Sequence, residues 1–351
     1  MEKYDNKVLK TVLITHFSAL GDVAMAIPIV YPVCVANPKV NFVLATCQAP
    51  ATMFVNRPSN LTVLGVDLDK YKMLCGPGRL ARNLQHRYNF DAMADLHSTL
   101  RTWLMKRSLK RRGVTVATID KGSSEKKLLT SVKSRTPVTT IHERYRNVFR
   151  QLGLKTGEEF NSIIDYGGEI DSPMVPVKAA GERWIAIAPF SQHKGKVYPL
   201  EQMRLVIASL STMENCHIFL FGGGKEEREA LDPIMRRYSN VTSVVHIKHS
   251  LADELALMRH CNVMVTMDSA NMHLASLVAL PVVSVWGATH PSCGFMGWHQ
   301  AMRDTVRLEL ECRPCSVYGN KKCRYGDYHC MRDISPELII NKVKKVLQRN
   351  D

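Results

Sequence analysis

The sequence predicts two doubly wound α/β domains in tandem, each built on a parallel sheet. Three observations predict this fold class. The chain has 351 residues, about the length of two typical domains. Short runs rich in β-branched residues alternate with longer amphipathic stretches, which is the pattern of strand-helix-strand units. A stretch rich in Gly, Pro and acidic residues, 154–182, separates two such series and is the predicted linker.

The first series contains five predicted strands, with helix-like segments between most of them. A helix is expected from about Asp22, directly after the first strand. The strands are TVLITHF (11–17), NFVLAT (41–46), LTVLGV (61–66), FDAMADL (90–96) and GVTVATI (113–119).

The second series repeats the pattern, and a closing amphipathic helix follows it. Its strands are WIAIAPF (184–190), CHIFLFGGG (216–224), VTSVVHI (241–247), CNVMVTM (261–267) and PVVSVWG (281–287), with helices near 200–210, 225–237, 251–260 and 270–279. Ser335 is the predicted N-cap of the closing helix and Pro336 its first residue. The predicted domains are 1–170 and 171–334, followed by the helix 335–351.

The charge and the apolar pattern narrow the class of protein. Lys and Arg number 47 against 32 Asp and Glu, a net charge of +15, which favours an anionic partner such as nucleic acid, an acidic membrane face or a phosphorylated small molecule. An ordinary solvated basic surface is the alternative. No apolar run reaches the roughly 18–20 residues of a spanning helix, and the N-terminal residues contain no secretory signal. We therefore expect a cytosolic protein.

Ten cysteines fall into two groups, and in the cytosol most are expected to be reduced. Six lie in apolar contexts and are predicted to be small buried hydrophobic side chains: Cys34, Cys47, Cys75, Cys216, Cys261 and Cys293. The other four cluster near the C-terminus: Cys312, Cys315, Cys323 and Cys330. A structural zinc site is one interpretation of this cluster, a loop packed by reduced thiols is favoured over it, and disulfides come last.

Ligands of open α/β sheets bind beyond the carboxyl ends of the strands, where the segment MDSANMHLASL begins. The free N–H groups of Ser269, Ala270 and Asn271 at the start of its helix suit a phosphate. The alternative is a plain N-cap by Asp268 or Ser269. His273 lies one turn into the helix and either lines the site or is a core histidine.

Two further loops follow predicted strands. PFSQHKGKVYP presents His193, Lys194 and Lys196, whose charge can neutralise a departing diphosphate, the alternative being a solvated basic loop. FGGGKEERE allows close ligand approach, and Glu226 or Glu227 can accept hydrogen bonds from ribose hydroxyls. The third glycine of the dinucleotide-binding fingerprint is missing, which weakens a nicotinamide dehydrogenase interpretation.

The segment FSALGDVAMAIP places Gly21 and Asp22 where the first strand runs into a helix. A carboxylate there either caps the helix or takes a proton from a hydroxyl that attacks a phosphate-linked carbon.

Six segments in register carry a resemblance to a known family: FSALGDVAMAIP, ADLHSTLRT, IHERY, APFSQHKGKVYP, DSANMHLASL and VWGATHP. Together they resemble glycosyltransferase family 9, the heptosyltransferases of lipopolysaccharide core assembly. The resemblance implies a GT-B fold of two facing Rossmann-like domains with a central cleft. It also implies an inverting transfer, without metal or cofactor, from ADP-heptose to a phosphorylated, lipid A-linked core acceptor.

The same resemblance implies roles for individual residues. Asp22 matches the catalytic base, and Gly21, His97 and Arg101 fall on the acceptor side. Lys196 matches the family's diphosphate lysine, and Asp268, Ser269 and His273 match its phosphate and acceptor-side contacts. With the residues found from the loops and the helix start, the expected donor-binding set is Lys194, Lys196, Glu226, Glu227, Asp268, Ser269, Ala270, Asn271 and His273. Two positions depart from the family pattern: His16 stands where relatives usually carry Arg or Lys, and Ala270 where they usually carry glycine. The methyl group of Ala270 would crowd the diphosphate if the backbone there needed a positive φ.

The stretch RTWLMKRSLKRR, 101–112, is a predicted basic helix with Trp103 and Leu104 among its basic residues. It suits a phosphorylated lipid acceptor or the anionic cytoplasmic face of the inner membrane, with an ordinary basic helix face as the alternative. No nucleic-acid motif accompanies the charge, so a nucleic-acid partner is not expected. Within the family, the alternative is a member with another nucleotide sugar or acceptor.

Overall fold

A computed structural model describes residues 9–73, 75–131 and 136–350 of the chain, and its contacts divide them into two units. The first unit contains the residues up to 121 together with 139–168, and the second contains 122–138 and the residues from 169 onward. The segment 122–138 joins the second unit because Leu129 and Val138 pack with Cys293 there.

The first unit is built on a five-stranded parallel sheet with the order β3-β2-β1-β4-β5. The strands are β1 (Thr11–His16), β2 (Asn41–Cys47), β3 (Leu61–Val66), β4 (Ala92–Asp95) and β5 (Thr115–Thr118). The order reverses between β1 and β4, so the loops after these two strands diverge and leave the crevice in which such folds bind ligands.

Seven α-helices lie between residues 20 and 151 of the described chain. They are α1 (Leu20–Ala24), α2 (Ile27–Ala36), α3 (Gln48–Ala51), α4 (Gly76–Tyr88), α5 (Leu100–Lys110), α6 (Ser123–Ser131) and α7 (Ile141–Gln151), of which α6 belongs to the second unit. The helix expected from Asp22 begins two residues earlier and is divided into α1 and α2. Pro28 lies in the first turn of α2, where a missing N–H is tolerated.

The second unit has a six-stranded parallel sheet with the order β11-β10-β9-β6-β7-β8. Its strands are β6 (Arg183–Ala188), β7 (Cys216–Leu220), β8 (Val241–Ser243), β9 (Val263–Met267), β10 (Val282–Val285) and β11 (Thr305–Val306). Its later helices are α8 (Leu200–Ser211), α9 (Gly224–Met235), α10 (Leu251–His260), α11 (Ala270–Leu277), α12 (His329–Arg332) and α13 (Pro336–Asn350). Here the order reverses between β6 and β9. The predicted class of two doubly wound α/β domains is confirmed.

Each unit buries its own apolar core. In the first, Leu13, Val43 and Met93 of three neighbouring strands pack with α4 and α5. In the second, the apolar face of α13 packs on the sheet, and four residues of that face are buried: Ile339, Val343, Val346 and Leu347. Among the described residues, no helix combines the length and the apolar character needed to cross a bilayer.

Candidate active site

Asp22 lies in α1, three residues into the helix that follows β1. Its carboxylate accepts a hydrogen bond from the Ser18 hydroxyl, with 2.5 Å between the oxygen atoms. The N-cap of α1 is Ala19, and no side chain caps the helix. Within the described part of the chain, no backbone N–H donates to the Asp22 carboxylate, so the helix-cap interpretation is wrong. The half-buried carboxylate keeps acceptor capacity for a ligand.

A buried histidine and a tyrosine lie behind Asp22. Nε2 of His16 lies 2.7 Å from the Tyr145 hydroxyl, which in turn donates to the backbone carbonyl of Asp22 at 3.3 Å. Burial, followed by the nearby His97, lowers the pKa of His16 to about 4. The ring is therefore neutral at pH 7. A Tyr145 hydroxyl that donates to Asp22 accepts from Nε2–H of His16, which fixes the tautomer.

His97 and Arg101 lie in the loop and the first turn of helix that follow β4, the strand beside β1. The His97 ring stacks on His16 with 5.5 Å between ring centroids. Burial and the positive charge of Lys121 lower the pKa of His97, the carboxylate of Asp22 raises it, and Arg101 lowers it further. The structure thus brings together the predicted acceptor-side residues and Asp22.

Asp95 fixes the loop that carries His97. Its fully buried carboxylate accepts from the backbone N–H groups of His97 and Ser98 at 3.1 and 3.0 Å. The Nζ atom of Lys106 lies 3.4 Å from Asp95 and donates to the Thr118 hydroxyl. Lys106 is one of the basic residues of the predicted basic helix 101–112. In the structure it compensates the buried Asp95 charge and does not belong to the exposed basic surface of that helix.

In the second unit, α11 begins where β9 ends, and Ser269 occupies its N-cap position without a side-chain cap. The Ser269 hydroxyl pairs with the Thr266 hydroxyl at 3.1 Å instead. Among the described residues, no protein acceptor lies on the backbone N–H groups of Ala270 and Asn271. Ala270 does not adopt a positive φ, so its methyl group introduces no backbone strain. The plain-cap interpretation therefore fails, and the N–H groups remain available to an anion.

Lys196 and Asp268 form an ion pair beside this helix start, with 2.9 Å between Nζ and Oδ2. The same carboxylate oxygen accepts from the Thr289 hydroxyl at 2.7 Å. Gly195 allows this approach, because a Cβ there would lie 2.8 Å from the side chain of Ala288. The loop after β6 is thereby packed against the loop after β10, and Lys196 is held at the end of β9.

Arg313 stabilises the loop after β10 through hydrogen bonds to its backbone. Its buried guanidinium donates to the carbonyl oxygens of Trp286 and Thr289 at 3.0 and 2.8 Å, and also to those of Gly287 and Leu308. Burial lowers the pKa of Arg313 from its ordinary value. Because Thr289 donates to Asp268, Arg313 indirectly stabilises the ion pair between Lys196 and Asp268.

The remaining predicted donor-side residues have distinct environments. Lys194 and Glu226 are exposed, whereas His273 is buried in α11. Glu227 accepts from the backbone N–H of Gly223 at 2.7 Å, and burial raises its pKa. Glu227 therefore orders the glycine loop, while Glu226 presents a carboxylate to solvent.

The cysteines give a mixed outcome. Four of the six predicted as buried are buried, Cys47 is half-buried, and the prediction is wrong for Cys75, which is exposed. In the C-terminal cluster, the Cys315 thiol donates to the Cys312 carbonyl, and the Cys312 sulfur lies 4.0 Å from Nε2 of His329. All ten cysteines are free thiols. Across residues 9–73, 75–131 and 136–350, no group of three or more His, Cys, Asp or Glu side chains is placed to hold a metal ion, so the zinc interpretation gains no support.

A comparison with models of protein families identifies the family of this chain. The model described as glycosyltransferase family 9 (heptosyltransferase) matches residues 78–329. The chain belongs to glycosyltransferase family 9. The resemblance found in the sequence is thereby confirmed, and the protein is a glycosyltransferase.

Relatives of this family 9 chain include a lipooligosaccharide heptosyltransferase 2 of Campylobacter jejuni. The two are 23% identical in an alignment 354 residues long, which covers 94% of this chain and 96% of the relative. Two solved structures share its fold. The E. coli heptosyltransferase WaaC with ADP-2-deoxy-2-fluoro heptose has a TM-score of 0.67 at 18% identity, covering 97% of this chain and 100% of that one. A family 9 glycosyltransferase from Veillonella parvula has a TM-score of 0.71 at 18% identity, covering 97% and 98%.

Several residues of this site were not predicted from the sequence: Ser18, Asp95, Tyr145, Thr289 and Arg313. Four of them, all but Arg313, lie in segments that carried the family resemblance, so those segments were the available signal. Arg313 lies between Cys312 and Cys315, where the sequence analysis considered only the thiols.

Proposed function

We propose that this glycosyltransferase moves a heptose from ADP-heptose to a hydroxyl of a phosphorylated, lipid A-linked lipopolysaccharide core acceptor, with inversion. The observation that carries the proposal is the Asp22 carboxylate, which does not cap the helix and accepts a hydrogen bond from Ser18. It lies at the topological switch point of the first unit. The relatives named above, which act in lipooligosaccharide assembly or bind an ADP-heptose analogue, support the sugar and the acceptor class.

The acceptor is assigned to the first unit. Gly21 brings the chain close to the acceptor beside Asp22, while His97 and Arg101 contact its polar groups. Asp22 takes the proton of the acceptor hydroxyl as that oxygen bonds to the anomeric carbon. Attack from the face opposite the leaving group inverts the anomeric centre.

The donor is assigned to the second unit. The bond between the anomeric carbon and the diphosphate oxygen breaks, and its electron pair leaves with ADP. Lys196 and the N–H groups of Ala270 and Asn271 stabilise the negative charge that develops there. Lys194 and His273 line the same region, and the carboxylate of Glu226 accepts from the ribose hydroxyls, with Glu227 ordering its loop. Because these groups stabilise the leaving diphosphate, the proposed mechanism uses no divalent metal ion.

Asp268 and Ser269 place these groups. Asp268 orients the Lys196 ammonium, and Ser269 sets the start of α11. Since the proposed acceptor carries a lipid, the enzyme works at the cytoplasmic face of the inner membrane.

The test compares Asp22→Asn with the matched control Asp69→Asn, whose carboxylate is exposed and pairs with Lys72. The variant is expected to bind ADP-heptose as the wild type does and to release ADP about 10²–10⁴-fold more slowly. The control is expected to keep wild-type turnover. Equal turnover in Asp22→Asn would exclude Asp22 as the base, and wild-type turnover only with a different nucleotide sugar would exclude the donor.

A further inference from the structure

A groove of about 500 Å³ lies between α4 and α5 on the first unit. Four arginines line it, namely Arg82 of α4, Arg107 of α5, and Arg111 and Arg112 directly after α5. The rest of the wall is formed by Cys75, Gly78, Leu104 and Ser108. We call this feature the arginine groove.

In the part of the chain that the structure describes, no carboxylate is paired with the positive charge of the arginine groove. Neither α4 nor α5 contains an Asp or Glu, and the sequence 97–119 contains none either. Among the described residues, no salt bridge joins a carboxylate to any of the four guanidiniums, although the partly buried Lys106 of α5 has its partner in Asp95. Four like charges around one cavity repel each other, so an anion that enters the groove relieves that repulsion.

The exposed face of α5 continues from the groove as an apolar surface. Leu100 is 70% exposed and Trp103 is 48% exposed, although both are large apolar side chains. Leu100, Trp103, Leu104, Arg107 and Arg111 recur at helical spacing, so they share one side of α5. The guanidinium of Arg107 lies 5.7 Å from the centroid of the Trp103 ring. An aromatic and a leucine next to a cluster of arginines is the composition of a surface that lies on an anionic bilayer.

We propose that the arginine groove and the exposed face of α5 dock the enzyme on an anionic phospholipid bilayer, with lipid phosphates in the groove and Trp103 and Leu100 at the headgroup level. A single-stranded nucleic acid is the less suited occupant, because Trp103 offers one stacking platform and not a series. The inference goes beyond the proposed reaction. The groove arginines from Arg107 to Arg112 lie about 9–16 Å along the helix axis from Arg101, which is assigned to the acceptor side.

The experiment measures binding of the full-length protein to vesicles that contain no acceptor lipid. One set is made of phosphatidylcholine alone and the other of phosphatidylcholine mixed with phosphatidylglycerol. The wild type is expected to bind the anionic vesicles, to release them as salt is raised, and to bind the neutral vesicles weakly.

The test variant replaces the four arginines, Arg82, Arg107, Arg111 and Arg112, by glutamine. Its matched control replaces four exposed basic residues of the second unit by glutamine: Arg236, Arg237, Lys344 and Lys345. Both lower the net charge equally. The groove variant is expected to lose anionic-vesicle affinity by about tenfold or more. The control is expected to lose less than about threefold, because only charges that lie close to the membrane surface contribute fully to binding. A second variant, Trp103→Ala, weakens binding without any charge change.

Equal losses in the groove variant and its control would overturn the proposal, as would wild-type binding that requires the acceptor lipid. Wild-type binding to a single-stranded oligonucleotide but not to vesicles would overturn it in favour of nucleic acid. ADP release with a delipidated acceptor is measured in parallel and is expected to be unchanged in the groove variant. A failure of the proposed reaction appears in that assay alone, whereas a failure of the docking surface appears in the vesicle assay alone.

Discussion

The Nζ atom of Lys196 lies 2.9 Å from Oδ2 of Asp268, where the loop after β6 meets the end of β9. Both side chains are largely buried, so the loss of their hydration offsets the Coulomb attraction between them. Pairs of this kind contribute little net stability. Their geometry instead holds an ammonium at a fixed position beside the free N–H groups of α11, which is what stabilisation of a leaving diphosphate requires.

Replacing Lys196 by methionine is therefore expected to lower kcat about 10²–10³-fold, because charge developing on the departing ADP loses its nearest cation. The measurement is steady-state ADP release. Lys194→Met is the matched control, since Lys194 is on the same loop but is exposed, and its kcat is expected to fall less than about tenfold. Similar losses in the two variants would assign the effect to the general charge of the loop.

Arg313→Lys is expected to destabilise the second unit by about 3 kcal/mol. A lysine cannot reach the four carbonyl oxygens that the guanidinium satisfies, and buried acceptors left without donors are costly. Urea unfolding checks the value. The control Arg324→Lys changes an exposed arginine and is expected to cost less than about 0.5 kcal/mol. A loss of that small size in Arg313→Lys would show that the carbonyl groups find other donors.

The strands were predictable from local pattern, and so was the sheet edge at which the candidate site residues lie. All ten predicted strands are present, because buried parallel strands appear as short β-branched runs. Asp22, Lys196 and Asp268 were singled out because polar residues that follow such runs lie at the ligand-binding edge, and their roles stay predictions. Strand β11 was missed since its two residues, Thr305 and Val306, carry no periodicity.

The partners of those residues could not be predicted, because they come from distant parts of the chain. Tyr145 lies 129 residues from His16, and Arg313 lies 26 residues from Gly287. The inward turn of Lys106 has the same cause, since Asp95 is on another element. Helical spacing indicates which residues share a face, but long-range packing decides which charge is neutralised.

Tyr145→Phe is expected to lower kcat about fivefold and to leave the KM for ADP-heptose unchanged. The hydroxyl joins His16 to the backbone carbonyl of Asp22, and a hydrogen bond of this kind contributes about 1 kcal/mol. Its loss loosens the acceptor-side carboxylate without touching the donor. The control Tyr88→Phe alters a half-buried tyrosine of α4. A Tyr145→Phe enzyme with raised donor KM and normal kcat would contradict a role in positioning Asp22.

The pKa of His16 sets the last prediction, which concerns stability against pH. The folded value of about 4 lies below the ordinary 6.5, so the unfolded chain binds a proton at this residue before the folded chain does. The contribution of neutral His16 is fully present above pH 6.5 and is lost as the pH falls from 6.5 to 4, with a magnitude on the order of 3 kcal/mol. Burial of His97 acts in the same direction.

His16→Gln removes this titration and is expected to flatten the dependence of the unfolding free energy on pH between 6.5 and 4. Urea unfolding at several pH values measures the slope. His86→Gln, on the exposed surface of α4, is the control and is expected to keep the wild-type slope. A His16→Gln protein whose stability falls as steeply as that of the wild type would show that His16 binds its proton at the same pH in the folded and unfolded states, and that burial does not lower its pKa.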